Sequence, residues 1–117
     1  MSKYVKLILM ILLVVGFISV SEREVLYVEG KYIGTGQGNH SQIKVEVIVN
    51  KYEIKKIRIM EQEETPGLCD IVYDEIPKNI IKANNPEVDV ISGASYTSQG
   101  LIDAIKDAVY KAKLKDI

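Results

Sequence analysis

The sequence predicts an α+β fold: a small antiparallel sheet of three to five strands with two main helices. Three observations carry this. Ile43, Val45, Val47 and Val49 alternate with Lys44, Glu46, Ile48 and Asn50, the period of a half-buried strand. Two stretches of helical period come later, one stopped by Asn84-Asn85-Pro86 and one aligning Leu101, Ile105, Ala108 and Ala112 on a face. The order is strands, helix, short extended segment, helix, which favours α+β over a doubly wound parallel sheet.

The elements are justified in turn. Leu26 to Ile33 read as the first strand, since Tyr27, Tyr32 and Ile33 favour extended backbone. Gly34, Gly36 and Gly38 then read as a glycine-rich hairpin connection. Their spacing resembles a nucleotide loop only superficially, because it lacks the Walker lysine and opens no helix. After the Ile43–Val49 strand, Asn50 to Glu53 make a turn. Ile54 to Met60 form the next strand, with Ile57 and Ile59 on one face and Lys56 and Arg58 on the other. Thr65-Pro66-Gly67 closes a polar stretch in a turn. A helix is expected over Asp74 to Ala83, with Pro77 near its start, where a missing N–H is harmless. Val88, Val90 and Ile91 make a short extended segment. The last helix is expected to begin near Thr97 or Ser98, either of which suits an N-cap. Asp103 falls in its first turn and Lys111 and Lys113 in its last, as the helix dipole prefers.

The chain has 117 residues, enough for one small domain. Lys3 and Lys6 precede an apolar run from Leu7 to Ile18, broken only by Gly16, and polar residues resume at Ser19. Residues 1–21 therefore read as a signal peptide or N-terminal membrane anchor, and residues 22–117 as the domain. The basic end before the run favours N-terminus inside and bulk outside, so the domain is expected on the outer face of the cytoplasmic membrane, anchored or secreted. Without Lys3 and Lys6, the chain's 15 basic and 16 acidic side chains become 13 and 16, a net charge of −3. That composition offers no basic patch for nucleic acid. Cys69 and His40 are single residues of their kinds, which disfavours a zinc or copper site. Cys69 reads as a buried apolar residue and His40 as a solvated loop residue.

The densest chemistry lies in Asp89-Val-Ile-Ser92-Gly93-Ala94-Ser95-Tyr96-Thr97-Ser98, which runs directly into the last helix. Small residues let a ligand approach the backbone. Hydroxyls supply hydrogen bonds, and a helix N-terminus offers free N–H groups and the positive dipole end. This is how a chain receives a phosphate. Asp89 is unsuited to touch one, because like charges repel.

The segment Asp-x-x-Ser-Gly-Ala-Ser resembles the covalent-FMN attachment motif of the FMN-binding domain family, which includes flavin subunits of sodium-pumping quinone reductase and of the Rnf complex. Two further stretches resemble that family in the same order: Tyr27 to Gly38 its opening strand and glycine turn, and Glu64-Thr65-Pro66-Gly67-Leu68 its central segment. The likeness spans about residues 27–113.

The resemblance implies a cofactor, FMN, with its phosphate at the N-terminus of the C-terminal helix. It implies a partner, an FAD-dependent flavin transferase that moves FMN onto a hydroxyl as a phosphoester. The acceptor position corresponds to Ser95, where the family usually has threonine. Thr97 is a second acceptor, and non-covalent binding a third possibility. Ser92, Gly93, Ala94, Thr97 and Ser98 would surround the phosphate, Asp89 would hold the loop or be read by the transferase, and Glu64, Thr65, Gly67 and Leu68 would form a facing wall. Tyr96 either stacks on the flavin or is a partly exposed tyrosine. The implied role is an extracytoplasmic electron carrier with membrane or extracytoplasmic redox partners. The alternative is a non-covalent FMN-binding module or sensor. The sequence shows no paired acid and base and no nucleophile with a histidine, so a carrier is favoured over a substrate-level catalyst.

Overall fold

In a computed structural model of the protein, the described residues are 4–6, 23–64 and 67–114. The apolar run at 7–18, the rest of the expected anchor or signal, and Thr65 and Pro66 lie outside them. Among the described residues no helix is long and apolar enough to cross a membrane.

Three strands form one antiparallel meander in the order β1-β2-β3: β1 Gly30–Gln37, β2 Gln42–Val49 and β3 Ile54–Glu61. Helix α1 (Leu68–Ala83) packs on β3, and helix α2 (Ser95–Ala112) covers β1 and β2. The α+β class and the three strands agree with expectation. In β2 the alternation is literal: Ile43, Val45, Val47 and Val49 are all buried. They meet Val72, Ile76 and Ile80 of α1 and Leu101, Ile105 and Ala108 of α2 in one core. The β2–β3 turn closes because Asn50 Oδ1 accepts from the N–H groups of Tyr52 and Glu53, both at 2.8 Å.

The first strand differs from expectation. It runs from Gly30 to Gln37 rather than from Leu26 to Ile33, so Gly34 and Gly36 lie inside a strand, not in a hairpin connection. The reason is tertiary. A Cβ on Gly34 would overlap the Ala104 carbonyl oxygen, and one on Gly36 the Gly100 carbonyl oxygen. From the other side, a Cβ on Gly100 would come within 2.6 Å of the Gly38 Cα. Strand and helix backbones touch along this line, and only glycine permits that. The segment before β1 instead pairs with the chain's far end: Tyr27 forms a bridge with Lys113, and the Val28 N–H donates to the Ala112 carbonyl at 2.8 Å.

Helix α1 begins six residues before the expected Asp74, and Pro77 sits inside it. Cys69, Val72, Ile76 and Ile80 keep helical spacing through the proline, and burial of that face outweighs one missing hydrogen bond. Asn84 ends the helix in the left-handed conformation, φ 51°, where its N–H reaches the last carbonyls. Its side chain also ties α1 to the β2–β3 turn, accepting from the Ile54 N–H at 2.8 Å and donating to the Tyr52 carbonyl at 3.0 Å.

Candidate functional site

Helix α2 begins at Ser95, not at Thr97 or Ser98. Ala94 occupies the N-cap position, with φ −136°, and no side chain caps the helix. The expected caps are turned inward. Ser98 is fully buried and its Oγ accepts from the Ile91 N–H at 3.0 Å, pinning the loop that leads into the helix. Thr97 is buried and its hydroxyl donates to Glu64 Oε1 at 3.2 Å. The uncapped first turn leaves its N–H groups free of side-chain acceptors, with the positive dipole end behind them.

The loop before this turn is shaped for close approach. Gly93 has φ +84°, a conformation that side chains resist, and nothing lies within 4 Å of where its Cβ would be. Ala94 is buried beneath it, while Ser92 and Ser95 expose their side chains. Tyr96 is 76% exposed. Asp89 is exposed, and among the described residues no hydrogen bond ties its carboxylate to the loop.

Glu64 joins the two glycine-bearing regions. Its side chain is buried, with 5% exposure, yet it carries a carboxylate. Oε1 accepts from the Asn39 N–H at 2.5 Å and Oε2 from the His40 N–H at 2.8 Å, while Thr97 donates from α2. Gly38 makes room, since a Cβ there would collide with the carboxylate. The buried charge is thus satisfied by two amides and a hydroxyl, as burial requires. The Gly38–His40 turn, Glu64 and the first turn of α2 form one hydrogen-bonded unit.

Gly67 takes the N-cap position of α1 at φ +88° and is exposed, and Leu68 opens that helix. No side chain caps α1 either. Both helix N-termini therefore lie close to Glu64, three residues before one and hydrogen-bonded to the other. Beside Glu64 along the chain, Gln62 and Glu63 line an open groove of about 680 Å³, with Ile59, Met60, Ser41 and Tyr73. Tyr73 donates to Gln62 Oε1 at 2.9 Å, and burial holds its hydroxyl well above the usual tyrosine range. Cys69 is buried at the start of α1. Burial raises its thiol pKa, with the charge of Asp70 adding to the effect.

The expected site residues therefore divide. Ser92, Gly93, Ala94, Ser95, Thr97 and Ser98 sit together at the α2 N-terminus, and Glu64 reaches them through Thr97. Gly67 and Leu68 open α1, Thr65 lies outside the described residues, and Asp89 stands on the approach loop. The amides of Asn39 and His40 were not anticipated. Nothing in the sequence signals them, since the burial of Glu64 against Gly38 appears only in the fold.

These residues fit a phosphate-bearing cofactor: an open helix N-terminus, exposed hydroxyls and a glycine with free space above it. Comparison with known proteins agrees. Residues 38–110 match the model of the FMN-binding domain. The chain is 30% identical over 80 residues to the NADH:acrylate oxidoreductase of Vibrio harveyi, a match covering 68% of this chain and 8% of that protein. It is 34% identical over 86 residues to the NADH:fumarate oxidoreductase of Klebsiella pneumoniae, covering 74% of this chain and 9% of that protein. It is 29% identical over 84 residues to the urocanate reductase of Eggerthella lenta, covering 72% of this chain and 14% of that protein. The match thus takes in only a small part of each of these much longer relatives. The chain belongs to the FMN-binding domain family, and its cofactor is FMN.

Proposed function

We propose that the protein is an electron-transfer module on the outer face of the cytoplasmic membrane, with FMN joined through a phosphoester to Ser95. One observation supports the attachment: of the aliphatic hydroxyls in the first turn of α2, Ser95 is exposed, while Thr97 and Ser98 are buried and already hydrogen-bonded. An acceptor must reach the active site of another enzyme, and the exposure of Ser95, at the position the family motif uses, supports that role.

In attachment, the Ser95 oxygen bonds to the FMN-side phosphorus of FAD. The pyrophosphate P–O bond breaks, AMP leaves, and the serine proton passes to solvent or to the leaving phosphate. Asp89, exposed six residues before Ser95, is available for recognition by the transferase. The free amides of the first turn would hold the phosphate, with room for it over Gly93. Bound FMN supplies the redox chemistry, accepting and releasing electrons. The open groove nearby sets Ile59, Met60 and Tyr73 among polar side chains, and Glu64 keeps the surrounding turns in register. The names of the relatives, all reductases or oxidoreductases, support an electron-carrying part. The redox partners on this reading are membrane or extracytoplasmic oxidoreductases.

The serine at position 95, where the family usually has threonine, favours one second reading: a non-covalent FMN-binding module or sensor. Co-expression with an FAD-dependent flavin transferase separates the two. The carrier reading expects yellow fluorescence that stays with the polypeptide on a denaturing gel. Fluorescence lost on denaturation, from a protein that bound FMN when native, supports the second reading.

A further inference from the structure

The two ends of the domain meet at one pole. Tyr27 bridges Lys113 in antiparallel pairing, the Val28 N–H reaches the Ala112 carbonyl, and the Leu114 N–H reaches the Leu26 carbonyl at 3.4 Å. Side chains on such a pair alternate between two faces. Tyr27 points inward and is 5% exposed. Leu26 and Val28 take the other face, and Leu114 stands opposite Leu26 on it. These three are 40%, 52% and 48% exposed. Three half-exposed aliphatic side chains thus share one face where a polar surface would be ordinary.

The flavin-site end is at the opposite pole. Ser95 and Ala112 are the two ends of α2, which at 1.5 Å per residue places them about 25 Å apart. The connection to the N-terminal apolar run is short: Ile18 and Val25 are seven residues apart in the sequence. Fully extended, those residues span at most about 25 Å. If the run from Leu7 to Ile18 stays in the membrane, this aliphatic face cannot move far from the lipid surface.

We propose that the Leu26–Val28–Leu114 face rests on the lipid surface of the membrane that holds the N-terminal segment, with the Ser95 end of α2 turned away from it. This rests on the membrane-anchored form of the function proposed above. Lys51 adjoins the face through the Leu26 N–H to Lys51 carbonyl bond and Lys113 through its bridge to Tyr27, while Arg23, Glu24 and Glu29 flank it along the chain. Three basic and two acidic residues nearly balance, so the contact is chiefly apolar and persists in high salt. A redox partner then reaches the flavin end from the aqueous side.

The test uses the full chain, reconstituted in vesicles of equal parts phosphatidylethanolamine and phosphatidylglycerol. In a Cys69→Ala background, a fluorophore is placed through Val28→Cys in one sample and Tyr96→Cys in another, both exposed positions. Flotation with the vesicles reports the anchor, and quenching by lipids with nitroxide headgroups reports the orientation. The expected result is flotation of both, with severalfold stronger quenching at position 28, reduced when Leu26→Ser and Leu114→Ser are added. Flotation with equal quenching, or stronger quenching at 96, overturns the orientation while leaving the anchor standing. Failure to float overturns the anchor and the orientation with it. Shielding of position 28 from both the lipid quencher and aqueous iodide means that protein covers the face, which also overturns the proposal.

Discussion

Glu64→Gln is the sharpest probe of how the site is held. The carboxylate receives three donors: the Asn39 amide and Thr97 hydroxyl on Oε1, and the His40 amide on Oε2. Glutamine keeps the shape, and its single oxygen can serve the first two donors. Its NH₂ group must then face the His40 N–H, donor against donor. Two costs follow. Two charge-assisted bonds become neutral ones, losing roughly 1 kcal/mol each. One partly buried N–H loses its acceptor, at about 1–2 kcal/mol. The sum is a destabilisation of about 3 kcal/mol, read as a lower urea midpoint at unchanged slope. Glu63→Gln, one residue away and exposed, serves as the control and should stay within about 0.5 kcal/mol of wild type. Thr97→Val should cost about 1 kcal/mol alone and less in the Glu64→Gln background, since the two share a bond. If Glu64→Gln is no worse than Glu63→Gln, the carboxylate does not hold the turns together and the reasoning fails.

Three further outcomes are expected. Gly36→Ala should destabilise by about 3 kcal/mol in the same urea assay, because strand and helix backbones must separate. Gly93→Ala should cost only about 1 kcal/mol, from its positive φ alone, and should weaken FMN binding in a fluorescence titration by narrowing the phosphate's approach. Burial raises the Cys69 thiol and the Tyr27 and Tyr73 hydroxyls, so the folded state resists their ionisation. The thiol's contribution is fully present below its unfolded value of about 8.5 and is lost as pH rises from there through its folded value, and the tyrosines' contribution is lost in the same way above about 10. The urea midpoint should therefore fall through the alkaline range, and Cys69→Ala should delay the start of that fall.

Much of the fold was legible because it is written in local periodicity. The alternation at 43–49 found β2, and Asn84-Asn85-Pro86 found the end of α1. What escaped depends on contacts between distant residues. Glycine has low strand propensity, so Gly34 and Gly36 suggested a connection. Their reason for being in a strand is the backbone of α2, some seventy residues on. Pro77 suggested a helix start because proline disfavours helix interiors, yet the face formed by Val72, Ile76 and Ile80 carries the helix through it. Thr97 and Ser98 are good cap residues by type, but Glu64 and the Ile91 amide take their hydroxyls. Glu64 itself stands in a run of polar residues that reads as solvated. Its burial appears only when Gly38 and α2 are brought to it. The motif of the α2 N-terminus was readable in the sequence, and its support was not.

The most direct measurement is the intact mass of the chain after co-expression with the flavin transferase, in wild type, Ser95→Ala and Thr97→Ala. Attachment at Ser95 predicts one added FMN moiety in wild type and in the folded fraction of Thr97→Ala, and none in Ser95→Ala. An added FMN that survives in Ser95→Ala, or a wild-type chain that binds FMN but gains no mass, contradicts it.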